Sequence, residues 1–373
     1  MNSLVYIDNE DITDPAVNLS IEEYALRYMD PSRDYLLLYR NTPSVILGRN
    51  QNVLEEVNVG YANTHGIRIL RRLSGGGTVY HDPGNLNFSF ITQYEPSRLH
   101  NFHFFNSPLI RLLKSLGVPA EMNERSDILA NGRKISGNAQ FSSKGRMFSH
   151  GTLLYNARID VIENVLEIQL DDIQSRSKKS VRSTVANISE FLDKPMDIIS
   201  FRNFILSGLV ARSVSSPGSS PGASSVGGHY RASSPEGSPD IRSIGDGLEI
   251  NQDQIYRFNK DEWHRIHEIR KNKYETWEWN FGRSPRFQIR RSRNLNGISL
   301  DLEMEVDKGL VGNMRITSSG KETRQLDGVC QMVTGNRYDP DVIRNQLRQL
   351  DPSELPDGIS LETLVSLIYG SLM

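Results

Sequence analysis

A run of three glycines between two charged dipeptides constrains this chain more than any other stretch. It reads Arg71-Arg72-Leu73-Ser74-Gly75-Gly76-Gly77-Thr78-Val79-Tyr80-His81-Asp82. Glycine has no Cβ, so the backbone can adopt positive φ and approach a ligand closely, and successive N–H groups in such a turn form an anion-binding concavity. The arginines before the turn and the His81-Asp82 pair after it suit a phosphate or carboxylate site. A plain glycine hairpin between two strands is the alternative, and both interpretations are open at this point.

The composition excludes several classes of protein. A chain of 373 residues suits two domains, and no apolar run approaches the roughly 18–20 residues that a membrane helix needs. The net charge of -2 gives no basic field for nucleic acid. Cys330 is the only cysteine, the first residues lack the pattern of a secretory signal, and Asp8 disfavours a transit peptide. We therefore expect a cytoplasmic protein with neither nucleic-acid nor membrane partners.

Strands are predicted on both sides of the glycines. One over residues 66–72 leads into the turn and one over residues 78–80 leaves it. The polar-apolar alternation over residues 87–92 is typical of a half-buried strand. Because the glycines join strands, the site differs from a Rossmann or P-loop site, where glycines open a helix.

The chain before the glycines is predicted to begin with a helix. Ser20 and Glu23 have the spacing of a capping box at its start. Residues 34–40 predict a buried strand, with residues 44–47 as its hairpin partner. Residues 48–52 are polar, and their sequence suits a ligand-binding loop and a plain loop equally.

A second group of candidate residues follows a predicted helix. Ser107-Pro108 marks the start of that helix and Gly117 its end. Asn131-Gly132 is a strong hairpin signal, and it places Asp127 and Lys134 on neighbouring strands. Another strand is predicted over residues 150–155.

Lys134 and two histidines are candidates by residue type. A lysine on a strand is commonly a surface residue, but beside an anion-binding turn it can bind phosphoryl oxygens and stabilise developing charge. His81 and His150 have no metal-ligand spacing, which argues against a zinc site. His81 suits a hydrogen-bonding role better than that of a base. The residues by themselves thus predict an α+β protein with an anion-binding turn, and they leave the substrate open.

The remaining chain divides into a basic loop, a low-complexity stretch and a small α+β unit. Residues 177–187 form a polar, basic loop for which a solvated surface is the default. Ser, Gly and Pro dominate residues 213–239, which we expect to be disordered. Residues 298–306 alternate as a strand, Asp307-Lys308-Gly309 turns the chain into a second strand, and helices follow Pro340 and begin at Ser360.

Several blocks together resemble the lipoate–protein ligase A family of the biotin/lipoate protein ligase superfamily. They are residues 71–87 (RRLSGGGTVYHDPGNLN), 132–139 (GRKISGNA), 150–154 (HGTLL), 180–183 (SVRS) with Asn187, and 277–282 (WEWNFG), which resembles the start of the accessory domain. The blocks occur in the family's order over nearly the whole chain, apart from the Ser/Pro/Gly-rich insert.

The resemblance implies an α+β fold like that of biotin protein ligases and class II aminoacyl-tRNA synthetases. We expect a catalytic domain with a mixed, largely antiparallel sheet over residues 1–212. A disordered insert over 213–243, a connecting segment over 244–262 and a small α+β accessory domain over 263–373 complete the expected organisation.

The implied activity is ATP-dependent lipoate–protein ligation. Lipoate attacks the α-phosphate of Mg²⁺-bound ATP to give lipoyl-AMP and pyrophosphate. A specific lysine of a lipoyl domain then takes the lipoyl group and AMP leaves. The expected acceptors are the acyltransferase subunits of 2-oxoacid dehydrogenases and the glycine cleavage H protein. Octanoate is an alternative small-molecule substrate, and a monomer is expected.

The resemblance also implies roles for individual residues. Lys134 is the implied catalytic residue and contacts both the phosphate and the lipoyl carbonyl. Arg72 and residues 77–80 are implied to contact ATP, and the glycine turn and the His150 strand to lie beside the dithiolane and its carbon chain. The complete set of expected binding residues is Arg72, Ser74, Gly75, Gly76, Gly77, Thr78, Val79, Tyr80, His81, Asp127, Lys134, His150 and Gly151. No metal ligand is assigned.

Three other functions remain open on the sequence. The chain could be a lipoyltransferase that uses preformed lipoyl-AMP, an octanoyl transferase, or a non-catalytic lipoate-binding protein. Cys330 lies far from every candidate block, which disfavours a cysteine-based octanoyl transferase. Lys134 disfavours the non-catalytic alternative.

Overall fold

A computed structural model describes most of the chain. The described residues are 4–167, 172–181, 183–194, 196–214, 252–295, 298–319, 324–351 and 359–370. The insert predicted over 213–243 therefore lies outside the described residues except for its first two positions, and the connecting segment is described from residue 252. Within the described residues, no helix is both long and apolar enough to cross a membrane.

The described residues form strands and helices that mix along the chain. The strands are β1 (Leu4–Ile7), β2 (Asp34–Tyr39), β3 (Ser44–Leu47), β4 (Arg68–Arg71), β5 (Val79–His81), β6 (Asn85–Gln93), β7 (Ala120–Met122), β8 (Ile128–Ala130), β9 (Arg133–Ser136), β10 (Asn138–Ser143), β11 (Arg146–Leu154), β12 (Ile173–Ser175), β13 (Ile255–Tyr256), β14 (Phe287–Leu295), β15 (Ile298–Asp307) and β16 (Leu310–Ser318). The α-helices are α1 (Pro15–Tyr28), α2 (Val59–Thr64), α3 (Phe102–Ser115), α4 (Ile159–Leu166), α5 (Ile198–Val214), α6 (Lys260–Ile269), α7 (Trp277–Asn280), α8 (Arg324–Val333), α9 (Pro340–Leu347) and α10 (Leu361–Tyr369).

A six-stranded sheet forms the centre of the catalytic region. Its order is β10-β11-β6-β2-β1-β13, with parallel pairing of β1 to β2 and β13 and antiparallel pairing elsewhere. Helices α3 and α5 cover one face, and α1 packs on the other. The predicted α+β fold with a mixed, largely antiparallel sheet is confirmed.

The predicted hairpin between β2 and β3 is wrong. Strand β3 lies in a separate three-stranded sheet of order β4-β3-β5, parallel to β4 and antiparallel to β5. The backbone of β2 pairs instead with β1 and β6. Sequence proximity favoured a hairpin, but β2 has neighbours on both sides within the central sheet, which leaves it no free edge for β3.

Two helices begin earlier than their sequence signals indicate. Helix α1 starts after Asp14, whose side chain accepts from the N–H groups of Ala16 and Val17, so Ser20 lies inside the helix. Helix α3 starts after Asn101, and Pro108 is in its interior. In both cases an Asx cap outcompetes the predicted one, because its oxygen reaches the free N–H groups of the first turn.

The C-terminal sheet takes one strand from the catalytic region. Its order is β12-β14-β15-β16, and Lys308 and Gly309 turn the chain between β15 and β16 with positive φ, as predicted. Helices α9 and α10 confirm the two predicted helices, and α8 is a third that the sequence analysis missed. We call β14–β16 with α8–α10 the C-terminal unit. Its core includes Leu54 and Ile173 from far earlier in the chain.

Candidate active site

The glycine turn crosses the end of β3, because β4 and β5 lie on opposite sides of that strand. The turn therefore passes directly over the residues that follow β3. Gly76 has φ +90°, and a Cβ on Gly48 would lie only 2.1 Å from the carbonyl oxygen of Gly76. Arg49 N–H also donates to the Ser74 carbonyl at 2.8 Å. Close backbone approach thus requires glycine at position 48, and the turn requires the positive φ of Gly76.

Arg72 holds the glycine turn from within. Its guanidinium donates to the carbonyl oxygens of Gly75 and Gly77, both at 2.7 Å. Its other donors go to the Ser74 hydroxyl and the Ile46 carbonyl, each at 2.9 Å. Burial lowers the pKa of Arg72 to about 10, so the side chain stays charged at neutral pH. The structure therefore places Arg72 as a support for the turn, and its direct contact with ATP stays a prediction.

A buried chain of hydrogen bonds connects Arg72 to helix α1 through the predicted residues Ser74 and His150. The Ser74 hydroxyl lies 2.7 Å from His150 Nε2, and His150 Nδ1 lies 2.8 Å from a carboxylate oxygen of Glu22. Because a carboxylate only accepts, Nδ1–H donates to Glu22, and in the neutral imidazole Nε2 then accepts from the Ser74 hydroxyl. The order resembles the serine-histidine-carboxylate arrangement of hydrolases. Ser74 is fully buried, which favours positioning over nucleophilic attack.

The sequence analysis missed Glu22. Its neighbours along α1 place it on the buried face, and its only sequence signal is an acidic residue among apolar ones. The partner that accounts for its burial, His150, is 128 positions away.

His81 is buried and neutral. Asn41 Nδ2 donates to His81 Nδ1 at 2.9 Å, so the ring proton is on Nε2, which has no hydrogen-bond partner among the described residues. Burial and the charge of Arg72 lower the pKa of His81 from 6.5 to about 3. The side chain therefore offers a neutral N–H donor in the polar layer under the glycine turn.

The polar layer continues onto β6 of the central sheet, where the sequence prediction of a half-buried strand is wrong. Strand β6 is buried over all but its last residue, where a half-buried strand was predicted. Its alternate polar residues Asn87 and Ser89 pair with Thr152 and His150 of β11. Gly151 lies between them, and a Cβ there would be 2.4 Å from Asn138 Oδ1 and 2.6 Å from the Phe88 ring. Packing accounts for this glycine, and its predicted ligand contact stays a prediction.

The Asn131-Gly132 hairpin delivers Lys134 as predicted. Both turn residues have positive φ, and Lys134 Nζ lies 2.8 Å from an Asp127 carboxylate oxygen. A Cβ on Gly137 would lie 3.1 Å from Lys134 Nζ, so the small residue gives the lysine room. The Lys134 side chain keeps 23% of its surface exposed. It is held in place yet reachable.

Lys134 opens onto a cavity of about 980 Å³. Thr78, Val79 and Tyr80 from the glycine turn line this cavity, as do Gly137 and Thr152. Ser180, Val181 and residues 183–185 also line it. Four predicted residues, Thr78, Val79, Tyr80 and Lys134, thus share one cavity. Arg72, Ser74, His81 and His150 lie in the buried layer between the glycine turn and the central sheet.

The cavity loop, residues 176–181 and 183–185, is exposed over most of its length, as expected, but hydrogen bonds also bind it to the protein. Ser180 N–H donates to Glu56 at 2.9 Å, and its hydroxyl donates to the other oxygen of the same carboxylate. The Ser180 hydroxyl accepts from Thr78 N–H at 2.9 Å. Gln51 donates to Ser180 and accepts from the Thr78 hydroxyl, at 3.0 and 2.8 Å. Ser180 and Gln51 therefore join the cavity loop to the glycine turn.

Arg71 faces the other way and ties the glycine turn to the segment that precedes the C-terminal unit. Its guanidinium donates to the carbonyls of Gly48 and Gln51, at 3.0 and 2.6 Å, and to that of Asn280, at 2.9 Å. Trp279 Nε1–H donates back to the Arg71 carbonyl at 2.7 Å. Arg71 and Arg72 thus bind different parts of the protein. Successive side chains of a strand point to opposite faces, but the sequence analysis did not use this rule to separate the two arginines.

Among the described residues, no three His, Cys, Asp or Glu side chains come together as metal ligands. Cys330 lies in α8, within the core of the C-terminal unit.

Comparisons with known proteins agree with this architecture. Residues 14–210 match the model of the lipoyl protein ligase A/B catalytic domain, and residues 284–368 match that of the bacterial lipoate protein ligase C-terminus. Lipoate-protein ligase LplJ of Bacillus subtilis (strain 168) is 40% identical over 366 residues, which cover 98% of this chain and 100% of the relative.

Two solved structures share the fold. One is a lipoate-protein ligase A bound with ATP, with a TM-score of 0.54 and 24% identity over 75% of this chain and 98% of the other. The second is a bi-partite lipoate protein ligase from Thermoplasma acidophilum, described with its E2 lipoyl domain, with a TM-score of 0.56 and 23% identity over 76% of this chain and 97% of the other. On the family models and the full-length relative, this chain belongs to the lipoate–protein ligase family.

Proposed function

We propose that this protein is an ATP-dependent lipoate–protein ligase that forms lipoyl-AMP and then lipoylates a lysine of a lipoyl domain. The observation that carries the proposal is the placement of Lys134 Nζ at a cavity shared by the glycine turn and the cavity loop. A cation is needed there because a carboxylate must approach a phosphate that is also anionic. The solved relative bound with ATP supports a nucleotide as the second substrate.

In the first step, an oxygen of the lipoate carboxylate forms a bond to the α-phosphorus, and the bond to the bridging oxygen breaks to release pyrophosphate. Lys134 stabilises the negative charge as these groups meet, while its ion pair with Asp127 fixes its direction. Thr78 to Tyr80 lie on the wall that the nucleotide would contact. The lipoyl chain would extend toward the buried layer, where His81 offers its N–H and His150 is held by Glu22.

In the second step, the neutral amine of the acceptor lysine attacks the carbonyl carbon of lipoyl-AMP. The carbon–oxygen bond to the phosphate breaks, AMP leaves with the electron pair, and the amine loses a proton. Lys134 neutralises the phosphate of the leaving AMP. The Thermoplasma relative, described with its E2 lipoyl domain, supports an acceptor of this kind.

Mg²⁺ fits this site only as an ion that is bound mainly by the phosphates of a nucleotide. It binds through phosphate oxygens, water and one or two carboxylates, and Asp127 places one carboxylate beside Lys134. When bound, the ion would neutralise phosphate charge.

We further propose lipoyl domains of 2-oxoacid dehydrogenases and the glycine cleavage H protein as acceptors, octanoate as a competing substrate, and action as a cytoplasmic monomer. The domain boundaries expected from the sequence remain part of this proposal. The family models end at residue 210 and begin again at residue 284, which supports a division between two regions.

One assay separates this function from its alternatives. The protein is incubated with ATP, Mg²⁺, lipoate and an apo lipoyl domain, while pyrophosphate release and the mass of the domain are followed. Pyrophosphate release with a mass gain of one lipoyl group is the expected result. Transfer only from supplied lipoyl-AMP would identify an adenylate-dependent transferase, and transfer from octanoyl-acyl carrier protein without ATP an octanoyl transferase. No transfer under any condition would favour a non-catalytic protein.

A further inference from the structure

We propose that the C-terminal unit positions the cavity loop, and through it Lys134, by holding strand β12 in its sheet. This inference rests on the proposed function and concerns how the site is assembled. It makes residues 172–175 a positioning segment for adenylate formation.

The backbone of strand β12 pairs with strand β14 of the C-terminal sheet. Ile173 pairs with Ile289 and Ser175 with Phe287, and Arg290 N–H donates to the Asp172 carbonyl at 3.0 Å. The Ile173 side chain is buried in the core of the C-terminal unit. A strand from the catalytic region thus lies along the edge of a sheet that is otherwise built more than 110 residues later in the chain.

An ion pair between a buried arginine and a partly exposed aspartate fixes the start of this strand. The Asp172 carboxylate accepts from Arg291 Nε, and Arg291 Nη1 donates to the Leu367 carbonyl of α10 at 2.7 Å. Arg291 is almost fully buried. Burial of a charged side chain is costly unless it is paired and hydrogen-bonded, so the buried Arg291 needs Asp172 in this position.

The cavity loop begins where β12 ends, and two neighbouring carboxylates hold it. Glu55 accepts from the hydroxyls of Ser175 and Ser177, the latter at 2.7 Å. Glu56 accepts from Ser180. Leu54, the residue before this pair, packs in the core of the C-terminal unit. The loop is therefore attached to that unit both along its own chain and through Leu54 and Glu55.

The far end of the loop is paired with the strand that carries Lys134. Lys134 N–H donates to the Thr184 carbonyl at 2.8 Å, and Ala186 N–H donates to the Lys134 carbonyl at 3.0 Å. The cavity loop, with residue 182 outside the described residues, thus links a strand that pairs in the C-terminal sheet to a segment that pairs with Lys134. Release of β12 would free the loop's first half and leave this pairing without its anchor.

The test is a proline at Gln174, an exposed residue of β12 that faces Gln288. Hydrogen-bonded pairs alternate along an antiparallel ladder, so the Asp172–Arg290 bond makes Gln174 the next hydrogen-bonded position. Gln174→Pro removes that donor, and Gln174→Ala is the matched control. In the full-length protein with ATP, Mg²⁺ and lipoate, we expect Gln174→Pro to raise the KM for ATP at least tenfold and to increase amide exchange over residues 173–185. Its Tm should stay within a few degrees of the parent, and Gln174→Ala should behave like the parent.

A second variant makes the opposite change. Gln174→Cys with Gln288→Cys can form a disulfide across the same pair, which locks β12 onto β14. We expect the oxidised protein to keep the parent's rate and KM in pyrophosphate release. A loss of activity that reductant restores would overturn the proposal, and so would a Gln174→Pro protein with parental KM for ATP. A parent protein that releases no pyrophosphate would contradict the proposed function itself, whereas an active parent with unaffected variants contradicts only this inference.

Discussion

The glycine turn and the cavity loop line the same cavity and are joined by the hydrogen bond from Thr78 N–H to the Ser180 hydroxyl, but different interactions hold them. The turn is shaped by residues close to it in sequence: Arg72 binds carbonyls three and five positions ahead. The cavity loop depends on Glu55 and Glu56, more than 115 positions earlier, and on a sheet formed more than 110 positions later. The conformation of the turn's own backbone therefore has a local support in Arg72, whereas the loop is assembled by distant parts of the chain.

The glycine turn and the cavity loop differ in sequence character because different kinds of contact hold them. A turn with positive φ and close backbone contacts needs particular residues at particular positions, and so it leaves a motif. A loop held by carboxylates needs only hydroxyl and N–H donors, which many sequences supply. The loop's serines and lysines therefore have the composition of an ordinary solvated segment.

The largest effect is expected at Lys134, which lines the same cavity as the glycine turn and the cavity loop. Lys134→Ala should lower the rate of lipoyl-AMP formation by at least about 100-fold, because the charge that stabilises the reacting phosphate is lost. The measurement is ATP- and lipoate-dependent pyrophosphate release. Lys144→Ala, at an exposed hairpin turn, is the matched control. Parental turnover in Lys134→Ala would exclude the proposed mechanism.

On the turn side, His81 should make stability sensitive to acid. Its pKa is lowered from 6.5 to about 3 in the folded state, so between these values the unfolded chain binds the proton more readily and stability falls as pH falls. Between pH 7 and pH 5 this one group should remove about 2 kcal/mol from the free energy of unfolding.

Urea unfolding at both pH values tests this expectation. His81→Gln should lose about 2 kcal/mol less than the parent over that interval, and His65→Gln, at an exposed site, should follow the parent. Equal losses in His81→Gln and the parent would show that His81 does not titrate as described.

The approach of β3 to the glycine turn gives a third prediction. Gly48→Ala places a Cβ 2.1 Å from the Gly76 carbonyl oxygen, and the backbone must shift, which should cost about 1–3 kcal/mol of stability. Gly75→Ala meets no atom within 4 Å and should change stability by less than about 0.5 kcal/mol. Chemical unfolding of both variants measures the difference. Equal losses of stability in Gly48→Ala and Gly75→Ala would show that the Gly76 carbonyl does not lie close to residue 48.

The smallest effect on stability is expected at Glu56, which holds the cavity loop. Its pH dependence should be opposite to that of His81. Burial raises the pKa of Glu56 above its ordinary value of 4.5, so its contribution to stability is present below the unfolded pKa and is lost as pH rises through the folded pKa. The stability of Glu56→Gln relative to the parent should therefore increase between pH 4 and pH 7. Glu124→Gln, at an exposed position, should show no such trend in the same urea titrations. A decrease in the relative stability of Glu56→Gln between pH 4 and pH 7 would show that the pKa of Glu56 is not raised in the folded protein.

Much of the fold follows from local sequence signals. The Asn131-Gly132 and Lys308-Gly309 turns, the strands on each side of the glycines and the C-terminal helices are where the sequence predicts them. Pairing between strands was predicted less well. Residues 44–47 form a strand, but whether that strand joins β2 or lies between β4 and β5 depends on free sheet edges, which no short segment specifies.

The sequence by itself determined the glycine turn, the Lys134 hairpin and the resemblance to lipoate–protein ligases, because each depends on backbone conformations or residue types confined to a few neighbouring positions. Only the tertiary structure decided the roles of Glu22, Glu55, Glu56 and Arg71 and the docking of β12. Buried charges and edge strands acquire their partners from distant parts of the chain. Their stability comes from desolvated pairs and shared backbone hydrogen bonds that exist only after the chain has folded.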